Sequence, residues 1–226
     1  MDADQLELSQ LMVTSQLLER LSQGGYSLRM PADFSEVPAL VETTGRERQM
    51  PMMDVTRHDF TQGTAFWLFL EKDGEVIGGA AARLEDLGSE TYPAFLSRIA
   101  VSYYGAIHGQ SPVENVARPV VDLLKGRLVY IGELQIKKGH QGDMAAVKTF
   151  MKILMSIAAS KWRNFDAMYA FVSERHRLLA VEYGFTVQVK NAIRWRNDPP
   201  PGWANSHRMV VLRRVDFENE FSGRLD

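Results

Sequence analysis

Arg127-Leu128-Val129-Tyr130-Ile131-Gly132-Glu133-Leu134-Gln135-Ile136, followed by Lys137-Lys138-Gly139-His140-Gln141-Gly142 and then Asp143-Met144-Ala145-Ala146, is the stretch on which the fold turns. Its first ten residues are rich in β-branched and aromatic side chains, the composition of a buried central strand. The glycine-bearing segment after Ile136 reads as a loop. From Asp143 to Trp162 the residues Met144, Val147, Met151, Leu154 and Ala158 recur at helical spacing, with Lys148 and Lys152 on another face. Strand, glycine loop and helix in that order leave main-chain N–H groups unpaired at the positive end of a helix dipole, an arrangement suited to an anion. The same pattern also serves packing in many α/β proteins, so by itself it leaves both readings open.

Upstream, Ala65–Lys72 and Glu75–Ala80 flank Asp73-Gly74, a pair that favours a tight turn with positive φ and predicts a hairpin of fixed register. Gln5 to Leu21 reads as a leading helix closed by Gly24-Gly25, Tyr26–Met30 as a short strand, and the segment carrying Val37, Leu40 and Val41 as a helix. Between Leu87 and Gly126 two helical patterns, Tyr92–Tyr104 and Val113–Leu124, predict an inserted pair of helices. Downstream, Ala167–Val172 reads as a second buried strand, Glu174–Glu182 as a short helix, and Phe185–Trp195 and Met209–Val215 as two further strands, separated by the proline loop Asp198–Gly202.

With 226 residues, 45% hydrophobic and 24% charged, one sizeable core is expected. The divisions read as a helical extension over 1–25, one domain over 26–216 with inserted helices over 87–126, and a tail over 217–226. The formal charge of -2 leaves no surplus of basic groups for a phosphate backbone, so no nucleic-acid partner is expected. The absence of cysteine excludes disulfides and thiolate chemistry and fits a cytoplasmic setting. No signal-peptide pattern and no apolar run of spanning length is read, so no membrane association is expected. The five histidines show no zinc-helix spacing, and no metal is expected. Gly109-Gln110-Ser111-Pro112-Val113 lacks the closing glycine of a nucleophile elbow. Neither a Walker loop nor a dinucleotide fingerprint is present.

The order hairpin, central strand, loop, long helix, strand, short helix ending in Tyr183-Gly184-Phe185, and two last strands resembles the GNAT superfamily of N-acyltransferases over roughly Tyr26 to Val215. Gln141-Gly142-Asp143-Met144-Ala145-Ala146 is similar to that family's Gln/Arg-x-x-Gly-x-Gly/Ala signature, with Glu133-Leu134-Gln135-Ile136 resembling the strand segment before it. The resemblance implies an α/β (α+β) fold with a mixed, mostly antiparallel central sheet of six to seven strands flanked by helices. It implies acetyl-CoA or another acyl-CoA as cosubstrate, its pyrophosphate on the amides of Gln141, Gly142, Asp143, Met144, Ala145 and Ala146. Its pantetheine arm would lie beside Leu134, Gln135 and Ile136, as an added strand does. Met144 stands where the family has its middle glycine. Ser173 and Ala180 stand where it has an asparagine and a tyrosine, so Ser173 is a further cofactor-side position and the usual thiolate-protonating tyrosine is missing.

Amide formation from a thioester needs a base for the ammonium proton, and Glu133, with Ile131 and Gln135 as its alternation partners, is the expected one. A carboxylate satisfied by local bonds is the competing reading of the same residue. The acceptor is a small-molecule or peptide amine. Trp195, Trp203 and His207 border the proline loop as packing groups or as pocket lining, and the inserted segment with Tyr92, Tyr103 and Tyr104 either roofs the acceptor or makes a homodimer contact. Two rivals stay open: a GNAT-like module that binds an acyl-CoA without turnover, and an acyltransferase of the autoinducer-synthase kind fed by acyl-carrier protein. Lys137-Lys138 with Arg175 and Arg177 is compatible with the latter, and equally with a solvated basic face.

Overall fold

In the computed structural model, which describes residues 3–220, the leading helix α1 covers Ala3–Gln23 and is followed by β1, Tyr26–Arg29, and α2, Val37–Thr43. The hairpin β2, Ala65–Lys72, and β3, Glu75–Asp86, turns at Asp73 and Gly74, whose φ of 51° and 79° are the positive values an Asp-Gly turn supplies. Next come α3, Tyr92–Tyr104, β4, Val113–Val116, and α4, Arg118–Leu123. The central strand β5 is Arg127–Ile136, the long helix α5 is Met144–Lys161, and β6 is Ala167–Val172. The remainder is α6, Arg177–Glu182, β7, Val187–Val189, β8, Ile193–Trp195, β9, Arg208–Arg213, and α7, Arg214–Glu220.

Seven strands form one sheet in the order β1-β2-β3-β5-β6-β9-β7, and β4 with β8 forms a separate two-stranded ribbon. The β1–β2, β2–β3, β6–β9 and β7–β9 pairs are antiparallel, and β5 runs parallel to β6 through Leu128↔Ala167, Val129↔Met168 and Tyr130↔Tyr169. This is the mixed, mostly antiparallel sheet that the family resemblance implies.

Residue contacts divide the chain into two units. The first comprises, among the described residues, 3–83, 131–163 and 214–220. It holds β1, β2 and the packing of α1 on α5. Val147, Phe150, Met151, Leu154 and Ala158 of α5 are buried, and so are Val13, Leu17 and Leu21 of α1. The second unit comprises residues 84–130 and 164–213. In it Glu85 accepts a 2.5 Å hydrogen bond from the Tyr169 hydroxyl, and Asp166 accepts the Arg127 N–H at 2.8 Å, pinning the start of β5. Both Glu85 and Tyr169 are buried, so the carboxylate is satisfied where it sits.

Four expected boundaries move. The second inserted helical pattern is in fact β4 followed by the short α4. Pro119 at the first turn sets the helix start, and Val113–Val116 upstream finds a strand partner in β8. The expected strand Phe185–Trp195 is split, because Asn191 takes a φ of 49° and sends the two halves to different sheets. The last strand stops at Arg213. Where a tail is expected from residue 217, α7 continues to Glu220 with Phe217 buried, and the rest of the expected tail lies outside the described residues.

Candidate functional site

The first unit carries the segment that matters. Glu133 has φ 63° in the middle of β5, a left-handed conformation that a non-glycine residue adopts only at a cost on the order of 1 kcal/mol. That residue breaks the alternation of the strand, so the expected partnership of Glu133 with Ile131 and Gln135 on one face is not a simple period of two. The side chain is buried all the same, at 2% exposure. Its Oε1 accepts the Met50 N–H at 2.8 Å, and its Oε2 lies 3.4 Å from Arg46 Nε without a hydrogen bond. Burial pushes the carboxyl above the ordinary glutamate range, against the opposing pull of the Arg46 charge and the Met50 amide.

Beyond Glu133 the strand turns regular again. The Lys137 N–H is donated to the Ile77 carbonyl of β3 at 2.7 Å, so Gln135 and Lys137 present their main-chain groups to β3 while Leu134 and Ile136 present theirs the other way. On that outer side the Leu134 carbonyl accepts from Arg46 Nη2 at 3.3 Å, and the Ile136 carbonyl accepts from the Gln141 side chain at 3.2 Å. Lys137 itself is ion-paired with Glu75, which occupies half of the basic dipeptide Lys137-Lys138.

The loop and helix front differ from an open anion seat. Asp143 is the N-cap of α5, and its Oδ1 accepts the Ala146 N–H at 3.0 Å. The Met144 N–H is donated to the Gly142 carbonyl at 3.1 Å. The second carboxylate oxygen of Asp143 accepts the Tyr26 hydroxyl at 2.6 Å, and Lys72 Nζ reaches that hydroxyl at 3.4 Å. The Tyr26 bond, then the Ala146 amide, holds Asp143 below the usual carboxylate range, so it is charged at neutral pH. The protein thus places a carboxylate of its own where a phosphate group is expected. As an N-cap, Asp143→Ala should destabilise the fold by about 1 kcal/mol, whereas Asp143→Asn keeps an acceptor and should cost less, as the urea midpoints of both would show.

Ser173 belongs to the second unit, where its hydroxyl is 3.1 Å from His176 Nδ1. In that unit Ala180 is buried, and Tyr183 is buried with its phenol pushed up by burial. Trp203 donates its indole N–H to the Tyr104 hydroxyl at 2.8 Å and meets Phe171, Trp195 and His207 at ring-centroid distances of 4.7, 5.4 and 5.9 Å. The aromatic residues around the proline loop are therefore packed on one another, in edge-on and tilted pairs. Glu174 is claimed by Arg208 through two hydrogen bonds and is 3.9 Å from Arg177, so part of the basic surface near α6 is internally neutralised.

Sequence reading missed Arg46 and Met50, which reach Glu133 from a loop lacking any regular pattern. Their neighbours tie the same loop down: Arg83 donates to the Met52 carbonyl at 2.7 Å, Gln49 to the Met53 carbonyl at 2.8 Å, and His58 Nε2 lies 2.9 Å from the Pro51 carbonyl. Among the described residues no group of three His, Asp or Glu could hold a metal, and no helix is long and apolar enough to cross a membrane.

No protein-family description matches the chain, and no curated protein matches it. Solved structures with a similar arrangement include FeeM, an N-acyl amino acid synthase from uncultured soil microbes. It is 12% identical over 85% of this chain and 92% of its own, with a TM-score of 0.48. ElaA of Escherichia coli is 12% identical over 82% and 98%, with a TM-score of 0.48. An agmatine N-acetyltransferase variant in its apo form is 14% identical over 83% and 99%, with a TM-score of 0.49. In the order of its elements, and in a mostly antiparallel sheet whose parallel pair joins the central strand to the strand after the long helix, the chain has a GNAT-like fold.

Proposed function

We propose that the protein is an acyltransferase that moves an acyl group, most simply acetyl from acetyl-CoA, from a pantetheine thioester to a primary amine by direct attack. The observation that carries this reading is the outer side of β5. There the main chain of Leu134 and Ile136 faces away from β3, one residue beyond a buried carboxylate whose affinity for a proton is raised. A pantetheine arm laid along Leu134, Gln135 and Ile136 puts its amides against those groups, with its phosphate end toward Gln141, Gly142, Asp143, Met144, Ala145 and Ala146.

In the reaction the acceptor ammonium loses a proton to Glu133, directly or through a water. The amine nitrogen then forms its bond to the thioester carbon, the carbon–sulfur bond breaks with its electron pair leaving on the thiolate, and the second proton on nitrogen passes to solvent as the neutral amide forms. With alanine at 180 and Tyr183 buried, the thiolate leaves unprotonated or takes its proton from solvent. The acceptor is a small-molecule or peptide amine, and the compartment in this reading is the cytoplasm.

Asp143 favours a second reading of the donor. A fixed carboxylate at the helix front repels a pyrophosphate more strongly than a single phosphodiester, so a pantetheine arm borne on an acyl-carrier protein suits this seat better than CoA does. Calorimetry with acetyl-CoA, a long-chain acyl-CoA and the corresponding acyl-carrier protein tests both readings. Heat or thermal stabilisation from none of the three would remove the proposal. Asp143→Asn should tighten acyl-CoA binding by about tenfold relative to carrier-borne donor; an unchanged ratio would leave CoA as the natural donor.

A further inference from the structure

Arg46 touches β5 at two adjacent residues. Its Nη2 donates to the Leu134 carbonyl at 3.3 Å, and its Nε approaches Glu133 Oε2 to 3.4 Å. Neither Nε nor Oε2 has a hydrogen-bond partner, and both atoms are buried. The pair therefore meets as two charges in a desolvated place, with orientation supplied from elsewhere. For the carboxylate that orientation comes from the Met50 N–H on Oε1, and for the guanidinium from the Leu134 carbonyl. A planar fork with several donors can bind a carbonyl with one nitrogen and hold its charge beside a carboxylate with another, which an ammonium cannot do as well.

We infer that Arg46 is a positioning residue of the acyl transfer: anchored on the Leu134 carbonyl, its guanidinium keeps the Glu133 carboxylate ionised and fixed at the point where the acceptor must be deprotonated. This rests on the reading of Glu133 as the base. The other charge bearing on Glu133 is Asp54, which acts in the opposite direction and is itself paired with Arg57 at 3.3 Å. Burial favours the neutral acid, a form that cannot accept a proton, and the nearby cation favours the ionised base. The loop that delivers Arg46 is also held by Arg83, Gln49 and His58 on the carbonyls of Met52, Met53 and Pro51, so changing Arg46 leaves those ties in place.

The test is the titration of Glu133 itself, followed in donor-free protein by isotope-edited infrared difference spectra in which Glu133→Gln identifies the band. Arg46→Gln should move that titration upward by about one pH unit or more, and the acid limb of kcat/KM should move with it. Arg46→Lys, which keeps the charge, should return most of the shift. A Glu133 titration at the same pH in Arg46→Gln and the parent overturns the inference, as does a variant whose melting temperature and KM change while the acid limb stays. Full turnover in Glu133→Gln would instead remove the base assignment. The infrared shift would still report whether Arg46 holds the carboxylate, so the two failures are distinguishable.

Discussion

Replacing Glu133 by glutamine should lower turnover by about 10²- to 10⁴-fold while leaving donor affinity within about twofold of the parent. The amide keeps an oxygen to accept the Met50 N–H, which is the bond that orients the side chain, and it is nearly the same size. What it loses is the ability to take a proton. The acceptor amine enters as an ammonium and cannot attack until that proton is gone, so the loss should fall on kcat with saturating donor, and single-turnover measurements should place it in the chemical step. Equal rates in variant and parent would dismiss Glu133 as base.

The parent should also show its own signature. Because burial raises the Glu133 pKa, the ionised base should appear only above the ordinary glutamate range, and kcat/KM should fall on the acid side at a correspondingly higher pH. Stability depends on pH in the opposite sense. A carboxyl whose folded pKa is raised contributes most to stability below its unfolded pKa, and that contribution is lost as pH rises through the folded value. Activity and stability therefore pull in opposite directions at this residue.

The parts of the fold that were legible beforehand are those dictated by local chemistry. Asp73-Gly74 needs positive φ and so fixes a hairpin, and the β-branched run Arg127–Ile136 needs burial and so becomes the central strand. The apolar stripe from Met144 needs a core and so becomes α5. What was not legible depends on residues far apart in sequence. Met50 reaches Glu133 across 83 positions, and Tyr26 reaches Asp143 across 117, and neither leaves a periodic trace. The left-handed backbone at Glu133 is hidden for a related reason: no side-chain rule places a glutamate there, and only the surrounding bonds hold it. The capping aspartate is a case where two readings share one stretch. An N-cap residue is readable from sequence, yet the glycine loop beside it draws attention to what the helix front could bind, when the helix supplies its own acceptor.

Gly78→Val is expected to harm the protein outside the chemistry. A Cβ built on Gly78 would lie 3.0 Å from the Gln135 carbonyl oxygen and 2.6 Å from Ile136 Cδ1. The isoleucine tip can swing aside; the carbonyl is backbone and cannot move without shifting β5 against β3. A branched side chain adds two further carbons to that space, so a loss of about 2–4 kcal/mol in unfolding free energy is expected from the urea midpoint. Its neighbour supplies the control. A Cβ on Gly79 would meet the ring of Phe69 at 2.8 Å, the cross-strand partner in β2, and not β5. Both substitutions should destabilise, but only the first pushes on Gln135 and Ile136, the stretch proposed to carry the pantetheine arm. Donor affinity should therefore fall by about tenfold or more in Gly78→Val beyond whatever Gly79→Val loses at matched fractions folded. Equal losses in the two would detach donor binding from the Leu134–Ile136 stretch.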